Sequence, residues 1–311
     1  MVRVIAFPGM TNLALFAGQA RGVFARRGVE ITVEFTPNSD FLRDRLANGT
    51  YDVAHAAVDN AVAMVELAGA DVVIVQGGER SLNELFVQSD INSVAELRGR
   101  PVIVDAPNTA FALQLKKILR LHGLEAGRDY TVVPIGNTPQ RWEAMRDDRR
   151  WAAAMLGPPF SVLARRHGLR SLGLAVTFIG PYQGTGIFTR RAWAREHADE
   201  LVRYLAALIE AGRWALAPAN RREAEALLAE RLKLPADVAA AAWEAAADPV
   251  SGLSADGGFD VEGFRNVLAL RAEIEGQWGG TPPPPERYYD LSYARRALTW
   301  LLDASRSSLP R

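Results

Sequence analysis

The chain is organised around the stretch Thr50–Asn60, TYDVAHAAVDN, which has the pattern of a strand, a turn and the start of a helix. Its first residues have the aromatic and β-branched character of a buried strand, and small residues around His55 form a turn. Asp59 and Asn60 then lead into the helical run AVAMVELA. In an open α/β sheet, ligands bind beyond the carboxyl ends of the strands, so this loop is a candidate for ligand contact. The alternative is an ordinary strand-to-helix turn in which Asp59 caps the helix.

Strands and helices alternate on both sides of this stretch. Strands are predicted over 3–7 and 29–35 before it and over 70–76 after it, with helical spacing between them. This β-α-β-α-β-α-β order predicts a parallel, doubly wound sheet. A second α/β series follows and includes a strand predicted over 172–178. The Ala-rich amphipathic runs after it predict helices, the first over 192–216.

Composition excludes several classes of function. With 311 residues the chain exceeds the usual size of a single core, so two lobes are expected. Its 36 basic and 36 acidic residues balance, which gives no support for nucleic acid or an anionic membrane surface as a partner. The absence of cysteine removes thiol nucleophiles, thiolate metal sites and disulfides. No His, Asp or Glu cluster has metal-ligand spacing and no dinucleotide fingerprint is present, so we predict neither a metal nor a cofactor.

The ends and the apolar runs bear on localisation. The chain enters a strand directly after Met1, without a visible signal peptide. No apolar run reaches the roughly 18 residues that a transmembrane helix needs, so we expect no transmembrane segment. A trimmed mature form is expected to be periplasmic or on the cell surface, and a native start at Met1 predicts a cytoplasmic protein.

Three segments carry a resemblance to a known family. They are FPGMTNLALFAGQARGVFARRGVEITVEF (7–35), LANGTYDVAHAAVDNAV (46–62) and INSVAELRGRPVIVDAPNTA (91–110). In this order they resemble type II periplasmic solute-binding proteins of the NMT1/THI5-like group, which includes SsuA-, TauA- and ThiY-like proteins. The resemblance implies a two-lobed α/β fold with two crossovers and a ligand between the lobes. It places lobe one at 1–82 and 186–311, with a helical C-terminal extension packed on it, and lobe two at 83–185.

The resemblance also implies a function. It predicts a protein that binds a small polar organic ligand in the inter-lobe cleft, as the substrate-binding component of an ABC-type importer with the transporter permease as partner. The ligand class is a sulfonate, a carboxylate or a pyrimidine-like compound. The alternative is a cytoplasmic enzyme on the same fold, either a lyase or decarboxylase or one of the pyrimidine-pathway type, with His55 and Asp59 or Asp105 as acid–base groups. Binding is favoured because no clear catalytic constellation is visible.

The candidate ligand contacts lie in loops after strands and on the return crossover. They are Met10, Thr11, Asn12, Asn38, Ser39, His55, Asp59 and Asn60 in lobe one, Asp105, Asn108, Thr109, Asn137, Pro158 and Phe160 in lobe two, and Tyr182, Gln183 and Thr185 on the crossover. The pairs Thr11-Asn12 and Asn108-Thr109 precede helices, whose free N–H groups favour an anion. Phe160 and Tyr182 are candidates for stacking on a flat ligand. Each polar candidate could instead only cap a helix.

The charges of these loops point in two directions. None of the loops contains Arg or Lys, so a sulfonate or carboxylate is expected to be held by helix dipoles and hydroxyl groups. Asp59 and Asp105 instead favour a ligand with hydrogen-bond donors, such as an aminopyrimidine, an amide or an amine. His55 is either a ligand contact that titrates near neutrality or a partly buried histidine at the end of a strand.

Overall fold

Two five-stranded sheets form the framework of the protein. The computed structural model describes residues 1–249 and 251–307, with the backbone alone for 304–307. The first sheet contains β1 (Val2–Ala6), β2 (Ile31–Phe35), β3 (Val53–Ala57), β4 (Val72–Gly77) and β10 (Thr185–Arg190), in the order β2-β1-β3-β10-β4. The second contains β5 (Glu84–Val87), β6 (Pro101–Val104), β7 (Thr131–Pro134), β8 (Ala153–Leu156) and β9 (Arg170–Leu174), in the order β7-β6-β8-β5-β9.

Both sheets are mixed rather than purely parallel. Strand β1 pairs in parallel with β2 and β3, whereas β10 is antiparallel to its neighbours β3 and β4. In the second sheet, β5 is likewise antiparallel to β8 and β9. The four strands of the predicted series, β1 to β4, run parallel as expected, and the antiparallel strand β10 was not part of that series. The chain leaves and re-enters each sheet at the edge where the parallel strands end, so the strand that follows each crossover must run in the opposite direction.

Helices surround both sheets. They are α1 (Leu13–Ala20), α2 (Val23–Arg26), α3 (Ser39–Ala47), α4 (Asp59–Ala68), α5 (Ala110–Leu121), α6 (Thr138–Asp147), α7 (Phe160–Arg166), α8 (Ala175–Ile179), α9 (Arg191–Glu196), α10 (Ala198–Leu216), α11 (Arg221–Leu232), α12 (Ala236–Ala247), α13 (Val261–Glu275) and α14 (Ser292–Ser307). Short 3-10 turns lie at Met10–Asn12, Val94–Leu97, Pro218–Asn220, Gln277–Gly280 and Pro285–Arg287. No helix in the described part of the chain combines the length and the apolar character that crossing a membrane requires.

Two predicted elements differ from the observed ones. The strand predicted over 172–178 is β9 followed by the helix α8. A short apolar run has no periodicity that separates a strand from a helix, and here the Thr177 hydroxyl donates to the Leu174 carbonyl across the first turn. The single helix predicted over 192–216 is two helices, because the backbone at His197 (φ −112°, ψ 31°) is not helical.

The C-terminal helices connect the two lobes. One face of the first sheet packs on a core that includes residues of α1 and α10, and the other face packs on residues of α4 and α13. Helix α13 also contacts α5 of lobe two, where Lys117 Nζ lies 2.6 Å from the Glu273 carboxylate. The extension thus packs on lobe one as predicted and touches lobe two as well. The segments 78–83 and 180–184 connect the sheets, and the lobe boundaries near 82 and 186 stay a prediction.

Candidate ligand-binding cleft

A cavity lies between the two sheets, at the carboxyl ends of their parallel strands. We call it the cleft cavity. The candidates from the sequence that line it are Met10, Thr11, Ser39, His55, Asn60, Asp105, Thr109, Pro158, Phe160 and Thr185. They come from both lobes and from the return crossover, so distant parts of the sequence meet at one space. This is the position at which open α/β sheets bind their ligands.

The other seven candidates do not line this cavity. They are Asn12, Asn38, Asp59, Asn108, Asn137, Tyr182 and Gln183. Asn38 and Asn137 act as helix caps, since their side chains accept hydrogen bonds from the backbone N–H groups of Phe41 and Gln140. The Asn12 amide donates to the carbonyls of Phe7 and Gly9 and so shapes the loop from within.

The two candidates on the crossover are internal to the fold. Tyr182 is buried in the core on the α13 side of the first sheet, so the structure does not place its ring at the cavity. The Gln183 amide donates to the Thr185 carbonyl at 2.6 Å, and its oxygen accepts from the Asp260 N–H at 2.7 Å. Of the two proposed stacking residues, Phe160 alone lines the cleft cavity.

Asp59 belongs to a buried ion pair. Its carboxylate lies 3.2 Å from the guanidinium of Arg271 on α13, and both side chains are almost completely buried. The same Arg271 nitrogen donates to the Asn108 carbonyl of lobe two. Burial raises the pKa of Asp59, and the positive charges of Arg271 and Arg43 oppose that rise. The partner of Asp59 is therefore Arg271 of the same chain, and not a ligand as the sequence suggested.

Direct hydrogen bonds join the lobes beside the cavity. The Ser39 hydroxyl and N–H both donate to the Asp105 carboxylate. Arg43 donates to the Asn108 side-chain oxygen at 3.3 Å. On lobe two, the Asn137 N–H and amide donate to the carbonyls of 37 and 36, each at 3.1 Å. The lobes are therefore in contact, and several residues that the sequence assigned to a ligand hold them together.

Arg141 is a cleft residue that the sequence reasoning missed. It is the fourth residue of α6, and long side chains on a helix point back towards its N-terminus, which here faces the cleft. Its guanidinium donates to the Gly136 carbonyl at 2.5 Å, the Thr138 hydroxyl at 3.1 Å and the Met155 carbonyl at 3.3 Å. The predicted ligand contacts all lie in loops, whereas a cation in the first turns of a helix opposes the helix dipole, and that unfavourable placement is itself a sequence signal.

The charge of Arg141 has no counter-charge bound to it. Its side chain is 1% exposed, its Nε has no hydrogen-bond partner, and no ion pair in the described residues includes it. Burial lowers the pKa of Arg141 to about 10, and the nearby Asp105 opposes that change. The guanidinium is thus protonated at neutral pH. A buried, unpaired cation is costly, so the arrangement favours an anion in the cleft.

The N-terminus of α5 adds further donors. The Thr109 hydroxyl donates to the Ala106 carbonyl at 2.9 Å and does not cap the helix. The first-turn N–H groups of α5 are therefore left for another acceptor, and Ala110 and Phe111 line the cavity. The Phe111 ring centroid lies 5.5 Å from the Arg141 guanidinium carbon. Free helix N–H groups beside an unpaired guanidinium form an anion-binding arrangement.

His55 faces α10. Its Nε2 lies 2.7 Å from the Tyr204 hydroxyl, and burial lowers the pKa of the imidazole from 6.5 to about 4. It is neutral at physiological pH. Within the residues that the structure describes, no hydrogen bond or ion pair joins His55 to Asp59 or Asp105, so the acid–base pairs considered for an enzyme are not in contact.

Glu79 is a second residue that the sequence reasoning did not select. It lies on the first crossover, 4% exposed, and lines the cleft cavity. Its carboxylate accepts from the Leu82 N–H at 2.9 Å. Burial raises the pKa of Glu79 from 4.5 to about 7, against the lowering effect of backbone N–H groups at Leu82, Ser81 and Thr185. A carboxyl group that titrates near neutrality therefore lies where the two crossovers meet.

We expect the Glu79→Gln variant to become more stable than the wild type as the pH rises. Between about 4.5 and about 7, folded Glu79 keeps a proton that the unfolded chain has lost, so wild-type stability falls with rising pH. The variant has no titratable side chain at this position, so its stability does not fall for this reason. The opposite slope expected from His55, between about 4 and 6.5, is common to both proteins and cancels in their difference.

Urea unfolding of both proteins across this pH range measures the difference in the free energy of unfolding. We expect this difference to grow up to about pH 7 and then to level off. A difference that does not change with pH contradicts the assignment of a near-neutral pKa to Glu79.

No group of three or more His, Asp or Glu side chains in the described part of the chain is placed to hold a metal ion. The hydrogen-bond donors that line the cleft cavity instead include a guanidinium, hydroxyls, the amides of Asn60 and Asn83, and backbone N–H groups, and the carboxyl groups of Glu79 and Asp105 lie beside them. The donors suit anionic and neutral oxygen-bearing ligands.

The chain is similar to solved structures over almost its whole length. A protein from Bordetella bronchiseptica RB50 matches with a TM-score of 0.83 at 18% identity, covering 97% of this chain and 98% of that one. The ligand-binding component of an ABC-type import system from Staphylococcus aureus, with zinc bound, has a TM-score of 0.76 at 14% identity, covering 95% and 98%. The alkanesulfonate-binding protein SsuA from Xanthomonas axonopodis pv. citri, bound to MOPS, has a TM-score of 0.75 at 19% identity, covering 93% and 98%.

These likenesses confirm the predicted type II periplasmic binding protein fold. No curated protein matches the chain in sequence. The model of the NMT1-like family matches residues 2–229, which extends beyond the segments that carried the resemblance and into α11. The chain belongs to the NMT1-like family.

Proposed function

We propose that the protein binds a small organic anion in the cleft between its lobes and acts as the substrate-binding component of an ABC-type importer. The observation that carries the proposal is Arg141, a buried guanidinium that lines the cleft without a carboxylate partner. In a dry site, a charge-assisted hydrogen bond to such a group is about twice as strong as a neutral one. A sulfonate or carboxylate supplies the missing negative charge.

The rest of the cavity supports a ligand with one acidic group and a less polar body. Hydroxyl groups of Thr11, Ser39 and Thr138 lie around the cavity, and the first turn of α5 offers free N–H groups. Phe7, Phe111 and other apolar residues line the remainder. This combination of a few polar contacts on an apolar wall is typical of small-molecule sites.

The importer role rests on family and fold. Among the structurally similar proteins, one is a ligand-binding component of an ABC-type import system and one is an alkanesulfonate-binding protein. A binding component of this kind meets its permease outside the inner membrane, so the proposal includes export of the protein. The site residues proposed for the ligand are the ten predicted residues that line the cleft cavity, together with Arg141.

A ligand panel tests the proposal. We expect an alkanesulfonate or a carboxylate to raise the melting temperature by several degrees, because a ligand at about 100 times its Kd adds about 2.7 kcal/mol to the free energy of unfolding. A neutral aminopyrimidine lacks the charge that Arg141 requires, so we expect a much smaller shift.

Each compound is recovered after incubation and analysed by mass spectrometry. Binding predicts that the acid returns unchanged, whereas conversion of the acid to another compound contradicts the binding function. A panel in which the aminopyrimidine stabilises the protein and the acids do not contradicts the anion as ligand class.

A further inference from the structure

A second cavity extends into lobe one. We call it the lobe-one cavity. It lies between the first sheet, helix α10 and the loop 253–257, which is held to the end of β4 by the bond from the Gly77 N–H to the Gly257 carbonyl. Thr11, His55 and Thr185 line both this cavity and the cleft cavity. These three residues are therefore a wall that the two cavities share.

A β-bulge turns Gln76 towards this second cavity. In the pairing of β10 with β4, Ile187 lies opposite Gln76 and the next residue, Phe188, lies opposite Ile74, so Val75 is an extra residue. Cross-strand partners share a face of the sheet, and Ile187 belongs to the core beneath α10. Strict alternation after Ile74 would place Gln76 on the opposite face. Bulges that redirect a side chain are common next to binding sites.

The amide of Gln76 is buried without its full set of partners. The residue is 3% exposed, and its Oε1 has no hydrogen-bond partner. Much of the wall around it is apolar and includes Leu208, Leu216 and Leu253. Buried polar atoms in native proteins are nearly always paired, so an unpaired one needs a specific explanation.

We infer that the lobe-one cavity is a second subsite, which binds the far end of an elongated organic acid whose acidic group lies at Arg141. The far end carries an O–H or N–H donor on an otherwise apolar body, and Gln76 Oε1 meets this donor after rotation of its amide, because less than 1 Å² of that oxygen is accessible in the free protein. The inference rests on the proposed function, because it needs an acid in the cleft. It adds a ligand class, the acid with a distal donor, and it assigns Gln76 as the residue that selects that donor.

The probes are two matched series of unbranched acids. One runs from glycolate to ω-hydroxyoctanoate, and the other contains the alkanoates of the same lengths. Calorimetric titration of the wild type is expected to show affinity that rises with length in both series. Among the longer acids, the hydroxyl form is expected to bind about tenfold more tightly than its alkyl counterpart, as one additional hydrogen bond predicts.

Two variants separate the subsite from the cleft. Gln76→Leu is expected to abolish the preference for the hydroxyl group, to keep the affinity for the shortest acids, and to raise the melting temperature of the free protein by removing an unpaired buried amide oxygen. Ala255→Leu places a larger side chain in the wall of the lobe-one cavity. We expect it to lower the affinity for the longest acids about tenfold or more and to leave the affinity for the shortest acids unchanged.

Ala229→Leu is the matched control, since Ala229 packs against the same core but lines neither cavity. If short acids bind through Arg141 but affinity does not depend on length, or Gln76→Leu leaves the hydroxyl preference intact, the second subsite is refuted and the proposed function stands. If no acid of any length binds, the proposed function fails, and the subsite fails with it.

Discussion

The Arg141→Met variant is expected to bind its organic acid about 100-fold more weakly than the wild type. Removal of one partner from a buried, hydrogen-bonded charge pair costs about 2–5 kcal/mol, and about 1.4 kcal/mol corresponds to a factor of ten. Methionine fills much of the volume of the arginine without its charge. The measurement is calorimetric titration with the tightest-binding acid of the ligand panel.

Arg141→Lys separates charge from geometry. Lysine keeps a positive charge but loses the planar fork that donates to Gly136, Thr138 and Met155 and to a ligand. We expect an affinity between those of the wild type and Arg141→Met. Arg141→Met also leaves the Gly136 and Met155 carbonyls without their donor, so circular dichroism is used to confirm the fold of the variant before the titration.

Arg146→Met is the control on the same helix. Arg146 is exposed, pairs with Asp147 at 2.7 Å and does not line the cleft cavity. We expect its affinity for the acid to remain within about twofold of the wild type, as for a surface charge away from the site. If Arg141→Met and Arg146→Met weaken binding to the same small extent, Arg141 is not the anion contact.

The Asp59→Ala variant is expected to lose about 3–5 kcal/mol of stability. It leaves Arg271 buried, at 1% exposure, with no counter-charge at hydrogen-bond distance. Breaking a buried ion pair by removing one partner is costly for this reason. The bond from Arg271 to the Asn108 carbonyl extends this contact to lobe two, so the effect is expected to reach both lobes. Urea unfolding, followed by circular dichroism, measures the loss.

A surface ion pair provides the comparison. Asp199 lies 2.8 Å from Arg296, but the two side chains are 81% and 50% exposed. We expect Asp199→Ala to change the free energy of unfolding by about 1 kcal/mol or less. An Asp59→Ala variant that is no less stable than Asp199→Ala would show that the buried pair contributes little to the fold.

The fold could be predicted from the sequence to a considerable extent. Alternating strands and helices and three family segments led to two α/β lobes and to the placement of the end of β3 at the cleft, although His55, which was predicted to lie in a turn, is within that strand. The direction of β10 could not be inferred, because the strand enters from the other lobe and its local sequence carries no sign of direction. The Ala175–Ile179 helix was missed since a short apolar run fits a strand equally well.

The candidate site was predicted in outline but not in its chemistry. The rule about strand ends selected loops such as that of Asp105, which lines the cleft cavity, yet it could not show that the Ser39 hydroxyl of the other lobe would donate to that carboxylate. Arg141 lies inside a helix and reaches the cleft by the direction of its side chain. Gln76 reaches its cavity through a bulge that depends on pairing with a strand more than 100 residues away. Such contacts arise from tertiary structure.

A crystal structure of the protein with the tightest-binding acid of the panel would show whether Arg141 binds the acidic group. We expect the acidic group to lie within hydrogen-bond distance of the Arg141 guanidinium, between the lobes, with the first turn of α5 beside it. An acid bound elsewhere, or bound in the cleft with its acidic group turned away from Arg141, would contradict this expectation.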